Sequence, residues 1–133
     1  MSHVFTYGSL MFDAVWSRVV QGRYTSIEGS IEGHGRFAID GEDYPGMVPH
    51  ADARVAGVLY LDVDDVDLAR LDQFEGDDYR RDVVTVTASD GVAREAQTYV
   101  YLRAERLLAS AWEPDAFAMQ RFLETYCRDR LGS

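Results

Sequence analysis

The sequence predicts one α+β domain whose sheet is mainly antiparallel and able to close on itself, and three observations predict it. Hydrophobic periodicity gives the order strand, helix, several strands, helix, two strands, helix, without the strict alternation that builds a parallel sheet. Val55 to Val63, VAGVLYLDV, is a near-continuous apolar run with β-branched and aromatic members, which suits a strand buried on both faces or a barrel wall. The 133 residues, 47% hydrophobic and 27% charged, have the composition of a globular protein that buries roughly two thirds of its unfolded surface.

The elements follow in order. His3 to Tyr7 reads as a short strand that ends at Gly8 and Ser9. Phe12, Val15, Trp16, Val19 and Val20 recur at helical spacing, with Gly22 placed as the helix stop. Strand, glycine turn and helix together set the amides of Gly8 to Met11 at a helix N-terminus, where they suit an anion. Tyr24 to Pro49 reads as strands and loops with turns at Asp40-Gly41 and Pro45-Gly46, ahead of the Val55 to Val63 strand. Asp62 or Asp64 caps the next helix, and Asp67 adds negative charge to its first turn. Val83 to Thr87 and Ala96 to Leu102 form a hairpin about Ser89-Asp90-Gly91. Pro114 opens a last helix whose face carries Met119, Phe122, Leu123, Tyr126 and Cys127.

Charge narrows the partners. A formal charge of −10 opposes binding to nucleic acid or to an anionic membrane face, both of which need clustered Lys and Arg. A single cysteine, Cys127, allows no intrachain disulfide and reads as packing. MSHVFTYGSL has no charged leader ahead of a long apolar run, and no run of about 18 apolar residues occurs, so a soluble cytoplasmic protein is expected. Oligomeric state is not set by the sequence.

Metal and covalent chemistry find little support. The acidic run Asp62, Asp64, Asp65, Asp67 fails calcium-loop spacing: counted from Asp62, Asp67 falls where glycine is required and Gln73 at the bidentate position. His3, His34 and His50 share no metal-ligand spacing with one another or with Cys127. Ser9 lacks the flanking glycine of a nucleophile elbow, and no dinucleotide or phosphate-loop fingerprint occurs. Gly8 and Ser9 either serve a ligand through their backbone or simply end a strand.

Glu75 stands out. Leu68, Leu71 and Glu75 lie at i, i+3 and i+7 of one helix, so the carboxylate falls on the inward stripe, and Gly76 stops the helix just behind it. An apolar face and the negative helix end both disfavour the ionised form, the condition of a proton acceptor useful near neutrality. A structural ion pair with the arginines that follow is the competing reading. Tyr79 and Arg81, two apart in an extended segment, share a face that Arg80 does not.

Together these residues resemble the γ-glutamylcyclotransferase family, in its short AIG2-like branch that includes γ-glutamylamine cyclotransferases. The matching pieces are VFTYGSL at 4 to 10, YPGMVP at 44 to 49, VAGVLYLDV at 55 to 63, LARLDQFEGDDYRRDVVTV at 68 to 86 and AQTYVYL at 96 to 102. The resemblance implies a small mixed, mainly antiparallel β-barrel with flanking helices. It also implies a γ-glutamyl small molecule as substrate, 5-oxoproline as product and no cofactor. Glu75 would be the general acid/base, with Tyr7, Gly8, Ser9 and Leu10 holding substrate and Tyr79 and Arg81 forming or supporting the site. Two rivals are a non-catalytic module that binds an amino-acid-like ligand or a protein in the same pocket, and a glycosidase drawing its second acid from Asp77 or Asp78.

Overall fold

The structure, a computed structural model, describes residues 1–114 and 119–127. In chain order the elements are β1 (Ser2–Thr6), a single 3-10 turn (Ser9–Met11), α1 (Asp13–Val19), β2 (Ser26–Ile39), β3 (Pro45–Val63), α2 (Asp65–Glu75), β4 (Tyr79–Ala88), β5 (Ala93–Tyr101), β6 (Leu107–Ala111) and α3 (Met119–Phe122), which widens into a π turn at Leu123–Cys127. The sheet runs β3-β1-β5-β4-β2, and β2 pairs back onto β3, so five strands close a barrel while β6 extends it from β2. All pairings are antiparallel except β1 with β5, which makes the barrel mixed.

Alternation along the strands splits the apolar residues into two cores, because successive side chains of a strand leave on opposite faces. Phe5 and Leu59 point into the barrel with Tyr7, Ile31, Met47, Val55, Val86 and Ala96. Their neighbours Val4 and Tyr60 point outward, where they meet Val15, Trp16 and Val19 of α1, Leu68, Leu71 and Phe74 of α2, and Phe122 and Cys127 of the last helix. Trp16 stacks flat on Tyr60 with ring centroids 3.6 Å apart, which fixes α1 against β3.

Closure brings backbones into contact at one point. A Cβ built on Gly57 of β3 would lie 2.1 Å from the Thr6 carbonyl oxygen of β1 and 2.9 Å from the Phe5 ring, so only a hydrogen fits there. Gly57→Ala is expected to lower stability by about 1–3 kcal/mol by overpacking, read as a lower urea midpoint at unchanged slope.

Several sequence expectations need correction. β3 begins at Pro45, paired with Ala38, so Pro45-Gly46 starts a strand and the turn lies at Asp40-Gly41 alone, with Gly41 at φ 79° and the Glu42 amide on the Ile39 carbonyl. A first strand residue needs no ladder donor, which is why a proline is tolerated there. The first helix ends at Val19 with Val20 already extended, and Gly22 is not its stop. The helix start expected at Pro114 runs into residues 115–118, which lie outside the described residues, as does the side chain of Met119. Among the described residues no helix is long and apolar enough to cross a membrane.

Candidate active site

Glu75 is the last residue of α2 and is half-buried. Asp64 caps the other end, accepting from the Asp67 amide at 2.8 Å, and Gly76 at φ 79° ends the helix as its sequence position predicts. Leu68 and Leu71 are buried beneath Glu75, so the helix is held by its apolar stripe and delivers the carboxylate at the edge of the outer core.

That edge is a narrow pocket. Glu75 shares its lining with Tyr7, Gly8, Ser9, Leu10 and Tyr79, so six of the seven residues singled out from the sequence converge. The seventh, Arg81, does not line the pocket: its Nε lies 3.5 Å from Asp72 Oδ1 of α2. β4 starts at Tyr79, so Arg81 does share a face with it, but two residues farther along the strand it meets Asp72 rather than the pocket. Arg80 turns outward and pairs with Asp82 at 2.9 Å.

The loop after β1 is not the N-terminus of α1. Gly8 to Phe12 makes its own turn, with the Met11 amide on the Gly8 carbonyl (3.0 Å) and the Phe12 amide on the Ser9 carbonyl (3.2 Å), and α1 starts afresh behind an extended Phe12. The physical reason is burial: a tight turn puts Leu10 into the outer core before the chain reverses. In such a turn the first amides, those of Ser9 and Leu10, have no partner within the turn itself. Arg36 of β2 donates to the Tyr7 carbonyl at 2.8 Å, Tyr60 Oη to the Leu10 carbonyl at 3.4 Å, and a Cβ on Gly8 would meet the Pro45 ring at 2.8 Å, so the loop is fastened on three sides.

Phenols surround the carboxylate. Tyr7 donates to the Tyr99 carbonyl (2.7 Å), Tyr79 to the Pro45 carbonyl (2.8 Å), and Tyr99 to Asp72 Oδ1 (2.7 Å). Burial first, and the nearby Glu75 charge after it, push the Tyr7 phenol well above its ordinary value. Burial likewise raises Tyr79, followed by the fields of Tyr7 and Glu75. These side chains therefore stay neutral hydrogen-bonding groups rather than proton carriers at ordinary pH.

Sequence reading missed Tyr99, Phe74, Phe122 and Tyr126 as lining residues. Tyr44 also lines the pocket, and it meets Phe122 and Tyr126 edge-on at 6.0 and 4.9 Å. The signal for Tyr99 lay in AQTYVYL, whose alternation puts one tyrosine on each second position of a strand. Asp77 and Asp78 are not in the pocket, and Asp78 accepts from Arg103 at 3.1 Å, so Glu75 is the lone acid among the described lining residues. Among the described residues no cluster of three His, Cys, Asp or Glu could hold a metal.

Known proteins resemble this chain in sequence and in fold. An AIG2-like protein D of Arabidopsis thaliana is 32% identical over 106 residues, spanning 80% of this chain and 70% of that protein. The solution structure of another Arabidopsis thaliana protein superposes with a TM-score of 0.74 at 25% identity, covering 96% of this chain and 81% of the other. A solved gamma-glutamyl cyclotransferase matches in fold with a TM-score of 0.64 at 16% identity, over 75% of this chain and 66% of that one. A family model described as gamma-glutamyl cyclotransferase, AIG2-like, matches residues 4–114, and with it the strand, loop, barrel and α2 that build the pocket: the chain belongs to that family.

Proposed function

We propose that the protein is a γ-glutamylcyclotransferase that converts a γ-glutamyl amine or peptide to 5-oxoproline and releases the amine, with Glu75 as general acid/base. The observation that carries this reading is that Glu75, the one acid among the described lining residues, ends α2 in the same narrow pocket that the Gly8 to Leu10 turn lines.

Such a substrate contains its own nucleophile. The α-amine attacks the side-chain carbonyl carbon, a new C–N bond closes a five-membered lactam, and the original amide C–N bond breaks. The enzyme needs to curl the chain and move protons. Holding the curl exploits intramolecular effective molarity, worth up to about 7–11 kcal/mol in well-oriented cases. Glu75 takes one proton from the α-ammonium before attack and a second from the same nitrogen as the lactam forms, and passes each in turn to the departing nitrogen, which leaves as an ammonium. Amides of the Gly8 to Leu10 turn supply donors for the substrate's carboxylate and the developing oxyanion, which lets an acidic protein hold an anionic ligand without a cationic patch. Tyr7 and Tyr79 wall the pocket, and Arg81 supports it from behind through Asp72. None of these steps calls for a cofactor.

The test is a panel of γ-glutamyl amines, γ-glutamyl amino acids and γ-glutamyl dipeptides, assayed for 5-oxoproline by chromatography. Release from at least one class is expected. If no member turns over while glutamate or 5-oxoproline still raises the melting temperature by mass action, the pocket belongs to a binding module instead.

A further inference from the structure

Three phenols of the pocket share a polarity. Tyr7, Tyr79 and Tyr99 each donate their hydroxyl proton to the protein, and Thr6 of the same lining donates to the Val58 carbonyl at 2.8 Å. A hydroxyl that has given its proton to the protein still has lone pairs, so it meets a ligand as an acceptor. Beside the Glu75 carboxylate this makes Thr6, Tyr7, Tyr79 and Tyr99 suited to a cation.

Tyr99 differs from the others in what receives its proton. Tyr7 and Tyr79 donate to peptide carbonyls, whereas Tyr99 donates to a carboxylate, Asp72, at 2.7 Å. A charge-assisted bond of this kind is shorter and stronger than a neutral one, and it polarises the phenolic oxygen toward better acceptance. Asp72 stands one turn before Glu75 on α2, so a single helix presents both carboxylates, one at the pocket and one behind Tyr99. Arg81 Nε lies 3.5 Å from the same Asp72 oxygen and pairs with that carboxylate. Burial, then the Asp72 hydrogen bond, raise the Tyr99 phenol well above its ordinary value, so the bond persists through neutral pH.

We propose that Asp72 is a positioning residue: by holding the Tyr99 hydroxyl proton it fixes the Tyr99 oxygen as an acceptor for the substrate's α-ammonium beside Glu75, with Arg81 keeping Asp72 in place. This rests on the γ-glutamyl reading for the identity of the ammonium. One N–H of the ammonium meets Glu75 and another meets Tyr99, so that loss of the first proton leaves the nitrogen lone pair aimed by the second contact.

Calorimetric titration separates this from a structural role, because L-glutamate carries an α-ammonium and L-5-oxoproline does not. Wild type, Asp72→Asn, Tyr99→Phe and the double variant are compared for both ligands, with thermal melts to establish that each is folded. Tyr99→Phe and Asp72→Asn are each expected to weaken glutamate about tenfold, the size of one lost hydrogen bond to a charged group, and to change 5-oxoproline less than about twofold. The double variant should bind glutamate no more weakly than Tyr99→Phe alone. Equal weakening of both ligands, additive losses in the double variant, or no glutamate binding to the wild type would overturn the proposal. If the binding pattern holds but the substrate panel yields no 5-oxoproline, the cyclisation reading falls and the ammonium assignment stands.

Discussion

Glu75→Gln is expected to cut 5-oxoproline release by about 100 to 10,000-fold, the usual contribution of a positioned acid/base, while leaving the protein folded. Glutamine keeps the length and shape of the side chain and removes only its capacity to take a proton. The loss should therefore appear in kcat, with a smaller change in KM, because the loop amides and the tyrosine wall are untouched. Glu75→Asp provides the graded control. It keeps the acid but withdraws it by one methylene, and a misplacement of about 1 Å can cost about 100-fold. A folded Glu75→Gln protein with full activity would remove Glu75 from the mechanism and leave no acid among the described lining residues, since Asp77 and Asp78 lie outside the pocket. Circular dichroism and a urea titration on the variants separate loss of chemistry from loss of fold.

How much of this could be seen in the sequence follows from the range of the interactions involved. Local chemistry was legible. Gly76 ends α2 because a residue at φ 79° favours glycine, and Glu75 lands on the inward stripe because 3.6 residues make a turn. The barrel wall at Val55 to Val63 was legible because a strand with apolar neighbours on both faces reads as a continuous run, and Leu59 and Tyr60 do face opposite cores. Non-local pairing was not. β3 runs 19 residues, Pro45–Val63, because β2 pairs with Pro45 to Pro49 and Arg54 to Tyr60 and β1 continues the pairing to Val63, with a register break near Gly33 that no local pattern announces. Arg81 looked like a pocket residue because its position on β4 is right. Its destination depends on Asp72 of a different element, and that contact cannot be inferred from spacing within either segment. The loop at Gly8 to Met11 was read as a helix start because strand, glycine and helix usually abut, whereas the need to bury Leu10 inserts a turn between them.

Asp67 is the largest such miss, and its replacement should cost the most stability. From its position in α2 it reads as a first-turn charge favouring the helix dipole. In the fold its side chain is 1% exposed and accepts from the amides of Gln21 (3.0 Å) and Gly22 (2.9 Å), from Tyr24 Oη (2.6 Å) and from Arg70 Nη1 (2.6 Å). One carboxylate thus ties the segment after α1, Gln21 to Tyr24, to the start of the helix that carries Glu75. Burial alone would push the Asp67 carboxyl up, but the hydrogen bonds from Tyr24, Gln21, Gly22 and Arg70 outweigh it and hold the group at about 2. Asp67→Ala leaves two backbone donors and a phenol without their acceptor, and breaking a buried charged network of this kind costs about 3–5 kcal/mol. Asp67→Asn keeps one acceptor oxygen and should lose less. Because the folded value lies below the usual carboxylate value near 3.9, the stabilisation is present in full above about pH 4 and is lost as pH falls toward 2. Urea midpoints measured from pH 7 down to pH 2 should therefore fall more steeply for the wild type than for Asp67→Asn, so that the two curves converge in acid. Parallel curves would show that the Asp67 charge is not what holds the segment after α1 to α2.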